Sequence, residues 1–262
     1  MRLAHISDLH LTAGPGAPGL VRADAVDRAR ALIRDVSGFP GLDLVVITGD
    51  TVNDAREGEY AMLSDLLAGL AVPCVVVPGN HDDRDLLRGV IAERSYADPH
   101  LLHHVWQRDH VRVIALDSLA MGEVGGRLLG PQMNWLADQL AHPFDGHTLV
   151  ALHHPPCAAG MGKLDGPILV EGNTALRELL DRQDRPATVL CGHLHRPFTA
   201  RFGRSLVSAA TSTAFQFALE LQANDEPPTV AEPFYYAIHM LGSDGSHVVH
   251  QQFPDLGALP DV

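Results

Sequence analysis

Short apolar runs recur along the chain, and five of them lead straight into a cluster of Asp, Asn or His. Leu3-Ala4-His5-Ile6-Ser7 leads into Asp8-Leu9-His10, and Leu44-Val45-Val46-Ile47-Thr48 into Gly49-Asp50. Val75-Val76-Val77-Pro78-Gly79 leads into Asn80-His81-Asp82, Leu149-Val150-Ala151-Leu152 into His153-His154, and Thr188-Val189-Leu190-Cys191-Gly192 into His193-Leu194-His195. Runs this short, rich in β-branched residues and without alternation, read as strands buried on both faces. In an open α/β sheet, ligands bind at the carboxyl ends of the strands. The five polar endings are therefore expected along one edge of one sheet.

Between these runs the period changes to that of a helix. Val26, Ala29, Ile33 and Val36 predict a helix over 22–37, and Tyr60, Leu63, Leu66, Leu67 and Leu70 predict a second. Leu86, Leu87, Val90 and Ile91 predict a third over 83–93, capped by Asp82 or Asp83. Gly130-Pro131 opens a helix carrying Trp135, Leu136 and Leu140, with Pro at a favoured first-turn position. Another helix is expected over 173–182, and a further strand over 111–116. Strand, loop and helix in alternation give parallel β-α-β units.

After His195 the pattern turns antiparallel. Segments 198–202 and 205–209 flank Gly203-Arg204, and segments 234–241 and 247–253 flank the hairpin signal Ser243-Asp244-Gly245. Stretches 14–19, 95–109, 157–168 and 224–233 read as loops, the third of them holding Asp165. His100, His103, His104 and His110 lie in or beside the second, with no spacing that defines a ligand geometry.

Composition narrows the classes. A chain of 262 residues with 46% hydrophobic content can bury a sizeable core, and one domain over 1–262 is expected. No apolar stretch approaches the roughly 20 residues of a membrane span. Met1-Arg2 leads directly into the first strand, which leaves no room for a signal peptide and points to the cytoplasm. Cys74, Cys157 and Cys191 are odd in number and read as reduced thiols rather than a disulfide framework. With 19 basic against 32 acidic residues, net charge −13 and no basic run, a nucleic-acid polymer is not the expected partner. A small anionic substrate would have to be drawn by bound cations.

The polar strand endings supply a place for cations. Asp8, His10, Asp50, Asn80, His153, His193 and His195 combine imidazole and carboxylate, a set suited to Fe, Mn, Co or Zn. One ion with an open position cannot use seven ligands. Two divalent or trivalent ions can, with Asp8, His10 and His195 on the first, Asn80, His153 and His193 on the second, and Asp50 shared. Such a pair stabilises the attacking and leaving oxygens of an in-line displacement and acidifies water, so attack by a metal-bridging hydroxide on a phosphoester is the chemistry expected. Neutral Asn80 keeps the site cationic enough to receive an anion. Any one of these histidines alone is more often a hydrogen-bonded structural residue; the argument rests on the ordered set. His5, one strand position from Ser7, reads as a residue behind the ligands.

Asp8-x-His10, Gly49-Asp50, Gly79-Asn80-His81-Asp82, His153 and Gly192-His193-x-His195 resemble the signature of the calcineurin-like metallophosphoesterases. The resemblance covers about 1–210, with the hairpin region 211–262 matching loosely. It implies a four-layer αββα fold, a β-sandwich flanked by helices with a C-terminal β-hairpin extension, in place of the single open sheet. Gly49-Asp50-Thr51-Val52-Asn53, His153-His154-Pro155-Pro156 and Cys191-Gly192-His193-Leu194-His195-Arg196-Pro197 further resemble the bacterial class III cyclic nucleotide phosphodiesterases and related glycerophosphodiesterases.

That branch implies hydrolysis of small phosphodiesters: 3′,5′- or 2′,3′-cyclic nucleotides, glycerophosphodiesters, or both. His81 lies next to Asn80 and so can reach the phosphate without binding metal, and is expected as a catalytic residue that protonates or hydrogen-bonds the leaving oxygen. His81 and Phe215 are the expected substrate contacts, and His154 either contacts substrate or packs behind the ligands. Phe215 stands where some members carry His, which favours stacking or an apolar wall. Asp165 and Asn173 resemble loop positions of the glycerophosphodiesterase branch, without a role attached. A homodimer or larger homo-oligomer is also implied. Thr51-Val52-Asn53 departs from the Asp-Arg-Gly of protein phosphatases and offers no Tyr ligand of the purple acid type, and His81 stands where UDP-sugar lipid hydrolases usually carry Arg. The alternatives are a phosphomonoesterase of the same fold and a non-catalytic scaffold, the latter at odds with a full set of seven ligands.

Overall fold

Both faces of the central strands are covered, and this decides the architecture. The computed structural model describes residues 1–13, 20–91, 96, 98–221 and 227–255. In chain order these form β1 (Arg2–Ile6), α1 (Ala25–Gly38), β2 (Leu44–Thr48), α2 (Glu57–Ala68), β3 (Cys74–Val77) and α3 (Arg84–Val90). Then come β4 (His104–Arg108), β5 (Val111–Ala115), β6 (Gly126–Arg127), α4 (Gly130–Ala141), β7 (His147–Ala151), β8 (Leu169–Glu171), α5 (Asn173–Asp181) and β9 (Thr188–Cys191). The chain continues with β10 (Thr199–Phe202), β11 (Ser205–Ala209), β12 (Gln216–Phe217), β13 (Thr229–Val230), β14 (Tyr236–Leu241) and β15 (His247–Gln252).

The apolar runs divide between two sheets instead of sharing one. The first has the order β15-β14-β1-β2-β3 and the second β10-β11-β9-β7-β5-β4. Between them Leu3, Leu44, Val46, Val75 and Val77 meet Val111, Val113, Ala115, Leu149, Ala151 and Leu190. The alternate residues of the first sheet, Ala4, Ile6, Val45, Ile47 and Val76, pack on Leu32, Ile33, Tyr60, Leu63 and Leu87 of α1–α3. Ile114, Val150, Leu152, Val189 and Cys191 of the second pack on Leu136, Leu140, Leu176 and Leu180 of α4 and α5. Four layers result: helix, sheet, sheet, helix. Fully burying a side chain of this kind contributes about 1.5–3 kcal/mol, so both faces of each strand are strongly held.

Helix ends follow local chemistry. Asp83, not Asp82, caps α3, its carboxylate accepting from the amides of Asp85 at 2.9 Å and Leu86 at 3.0 Å. The 95–109 stretch holds a strand, β4, where a loop is expected. Among the described residues this edge strand pairs only with β5, antiparallel, and its burial fades along its length, which leaves no periodic signal. The C-terminal hairpin forms and extends the first sheet, with β14 antiparallel to β1. The cysteines form no disulfide. The loop expected over 14–19, the end of the third helix at 92–93, the start of the 95–109 stretch and residues 224–226 lie outside the described residues. Among the described residues no helix is long and apolar enough to cross a membrane.

Candidate active site

The carboxyl ends of β1, β2, β3, β7 and β9 converge. Backbone bonds lace the loop after β1 to that after β2: Asp8 N–H to Gly49 O at 3.0 Å and His10 N–H to Asp50 O at 3.0 Å. In the second sheet Gly192 N–H reaches His153 O at 2.9 Å. The two sheets then meet through a side chain, since the His193 amide donates to both oxygens of Asp8 at 3.1 Å.

The turns that deliver these groups are strained. Asp8 (φ 53°), His10 (43°), Asp50 (46°), His193 (73°) and His195 (52°) all occupy the left-handed region. For a non-glycine residue this costs of order 1–3 kcal/mol and persists only where the surroundings over-determine it. Glycine is required beside them for space. A Cβ on Gly192 would fall on Ser7 Oγ and Asp8 Oδ2, and one on Gly79 on Asp50 Oδ1.

Asp8, His10, Asp50 and His195 form one group of donors within 4.8 Å of one another. Asp50 Oδ2 lies 3.6 Å from His10 Nε2 and 3.3 Å from His153 Nε2, so one carboxylate touches both sides of the site. Across from it, Asn80 Oδ1 sits 3.2 Å from His153 Nε2 and 3.0 Å from His193 Nδ1. All seven expected ligands are therefore gathered in one place.

Tautomers show what these atoms want. His153 Nδ1–H donates to Thr48 O at 2.7 Å and His195 Nδ1–H to Phe215 O at 3.1 Å. His10 Nδ1–H donates to Asn53 Oδ1 at 3.2 Å. In each neutral ring Nε2 is then a lone pair, and these lone pairs face one another, Asn80 Oδ1 and two carboxylates. Acceptors facing acceptors in a buried site call for a cation. The charges agree. Burial alone would raise the Asp50 carboxyl, but His153 and His10 hold it well below the usual range. Burial opposes charge on His153, yet Asp50 lifts it to about 9, so without an ion a proton on Nε2 takes the place a cation would fill between His153 and Asp50. Burial and the neighbouring imidazoles push His10 and His193 down to about 3. Asp82, turned inward to accept from Thr51 N–H at 3.2 Å and Gly79 N–H at 2.9 Å, is raised to about 6 by burial and Asp50.

His81 stands beside this cluster, edge-on to His10 with ring centroids 4.7 Å apart. Its amide donates to Asp50 Oδ1 at 2.8 Å and its Nδ1–H to Asn53 O at 2.7 Å. Above them opens a cavity of about 330 Å³, walled by Leu20, Val21, Val124, Leu164, Pro167, Phe215 and Phe217.

Residues 1–197 match the sequence profile of the calcineurin-like phosphoesterases. The chain belongs to that family. It is 29% identical over 258 residues, 97% of this chain and 93% of the other, to a probable glycerophosphodiester phosphodiesterase of Arcobacter nitrofigilis. It is 36% identical over 232 residues, covering 84% and 70%, to a cAMP/cGMP dual specificity phosphodiesterase of Mycobacterium tuberculosis. A dimetal phosphatase from Danio rerio shares the fold, with TM-score 0.70 at 15% identity and 96% of each chain covered.

Within this phosphoesterase the expected substrate contacts separate. Phe215 lines the cavity, its ring 4.0 Å from that of His195. His154 does not line it. Its Nε2–H donates to Val124 O at 3.0 Å and its Nδ1 accepts from Ser118 at 2.8 Å, so it braces the 118–126 loop behind His153 and His193. His5 bonds Thr48 Oγ1 at 2.9 Å, the residue whose carbonyl holds His153. His100, His103, His104 and His110 line no part of the cavity; His103 stacks on Trp135 at 4.5 Å. Two residues had no role assigned from sequence. Asn53 orients both His10 and His81, and its only signal is a polar residue ending the Gly49–Asn53 motif. Phe217 completes the aromatic wall, signalled by its spacing of two from Phe215.

Proposed function

We propose that this chain is a dinuclear-metal phosphodiesterase acting on small diesters. The observation that carries the reading is Asp50, whose carboxylate lies between the His10 and His153 nitrogens among facing lone pairs. Asp8, His10 and His195 would hold one ion and Asn80, His153 and His193 the other, with Asp50 common to both. Two ions held this way supply Lewis acidity toward the phosphoryl oxygens and a lowered pKa for bound water.

The chain's own groups do the rest. With Nδ1–H committed to Asn53 O, His81 keeps Nε2 as its free nitrogen. In the imidazolium form Nε2 carries the second proton, which passes to the leaving oxygen in an in-line displacement and leaves the ring neutral with Nδ1–H still on Asn53 O. The His81 amide fixes one oxygen of Asp50, so the acid and the shared carboxylate hold a constant spacing. The names of the relatives make cyclic nucleotides and glycerophosphodiesters the first diesters to try.

The test is a panel on Mn²⁺-reconstituted protein: bis(p-nitrophenyl) phosphate, p-nitrophenyl phosphate, 3′,5′-cAMP, 2′,3′-cAMP and glycerophosphoethanolamine. Diesters turned over well ahead of the monoester support the reading. Preference for the monoester would make the protein a phosphomonoesterase.

A further inference from the structure

The cavity above the ligand cluster is one-sided in chemistry. Beyond the proposed ligands, the lining side chains able to hydrogen-bond are Asn53 and His81, among the described residues. Of the Asn53 amide, Oδ1 accepts from His10 and one Nδ2–H goes to Asp54 Oδ1 at 2.9 Å, leaving one N–H. The wall's nearby carbonyls are engaged. Phe215 O accepts from His195, Phe217 O from Arg196 at 2.7 Å, and Val124 O from His154.

Beyond that N–H and His81, what remains is apolar surface. Phe215 and Phe217 meet edge to face with centroids 5.4 Å apart, backed by Val21 and Leu164 in one cluster. At the mouth, Leu20 is 50% and Val124 58% exposed, so the apolar lining continues outward into solvent. Exposed apolar surface continuous with a site marks a ligand that covers it.

From this we infer that the diester this site selects carries an apolar ester arm, aryl or alkyl, seated along Val21, Leu164, Phe215 and Phe217. The inference rests on the phosphodiesterase reading and names its substrate class. With the phosphoryl group on the ligand cluster and the leaving oxygen toward His81, the retained arm has this wall beside it. An arm rich in hydroxyls, such as glycerol, would bury polar groups where no lining side chain beyond Asn53 and His81 can meet them. A methylene arm removes apolar surface on both sides from water.

A diester series with one leaving group isolates the arm. The methyl, propyl, hexyl and 2,3-dihydroxypropyl esters of p-nitrophenyl phosphate would be compared by kcat/KM on the Mn²⁺-loaded full chain. From methyl to hexyl, kcat/KM is expected to climb by up to about three- to fourfold per buried methylene, levelling once the wall is covered. The dihydroxypropyl ester is expected at least about tenfold below the propyl ester, the scale of an unmet buried hydroxyl. Leu164→Ser is expected to shrink the hexyl-to-methyl ratio about fivefold or more, a ratio internal to the variant and independent of its active fraction.

A flat alkyl series, or a dihydroxypropyl ester equal to the propyl ester, overturns the apolar-arm assignment while the diesterase reading stands. No turnover of any diester, with p-nitrophenyl phosphate cleaved, overturns both.

Discussion

The Nε2 atoms of His10 and His195 stand 3.0 Å apart, each with its Nδ1–H already donated elsewhere. Two lone pairs at this distance, beside the buried carboxylates of Asp8 and Asp50, are held only at a cost unless a cation joins them. Metal binding is therefore expected to stabilise the fold. At an ion concentration about a hundredfold above Kd the gain is about 2.7 kcal/mol. For a chain of this length that is a shift of roughly 5–11 °C in Tm. Thermal melts with Mn²⁺ and with chelator test it; coincident curves would remove the argument for a cation.

Asp50→Ala should lose at least one ion per chain along with diester hydrolysis, because its carboxylate reaches both the His10 and His153 sides. Metal-to-protein ratios by mass spectrometry decide. Two ions retained would end its bridging role.

His81 touches the cluster only through its amide and its ring edge. His81→Ala should lower kcat by about 10²–10⁴, the usual scale of general acid–base catalysis, with metal content unchanged. Loss of metal instead would make His81 a support of the ligands.

Gly192→Ala should destabilise by about 1–3 kcal/mol, the scale of overpacking, and should weaken metal binding, since its Cβ would meet Ser7 Oγ and Asp8 Oδ2. Gly130, with nothing within 4 Å of its Cβ position, is the control. Urea midpoints for the two alanine variants give the comparison.

Acid stability carries a signature distant from the site. His239 is fully buried and its Nδ1 lies 3.0 Å from His247 Nε2, tying β14 to β15. Burial, then His147, lowers His247 to about 4, and burial, then His5 and His247, lowers His239 well below its usual value. The unfolded chain takes up these protons near the ordinary 6.5 while the folded chain refuses them until about pH 4 or below. Stability should thus be unaffected above about pH 6.5 and fall as the pH drops toward 4. Urea midpoints across that window should fall less steeply for His247→Gln; equal slopes would place the acid sensitivity elsewhere.

The gathering of Asp8, His10, Asp50, Asn80, His153, His193 and His195 was legible in the sequence because each closely follows a strand, and strand ends announce themselves as apolar runs broken by Gly and a polar residue. The helices were legible for the same reason, through their 3.6-residue stripe. Their exact limits were not. The cap of α3 is Asp83 because Asp82 is drawn inward to Thr51 and Gly79, a choice made by distant backbone.

Hydrophobic pattern alone put the strands in one sheet; the family resemblance implied two, and the tertiary structure divides them so. Leu44–Thr48 is apolar throughout, and a strand buried on both faces shows no alternation to say whether a helix or another sheet covers either side. The role of His154 was likewise undecided by its place beside His153, since alternation along an extended segment turns neighbours to opposite sides and the fold alone supplied Ser118 and Val124 as its partners. The sequence by itself determined which Asp, Asn and His side chains are able to hold a metal ion, since that depends on residue type and order. The folded chain decided which of their neighbours face the substrate, since that depends on contacts between segments far apart in sequence.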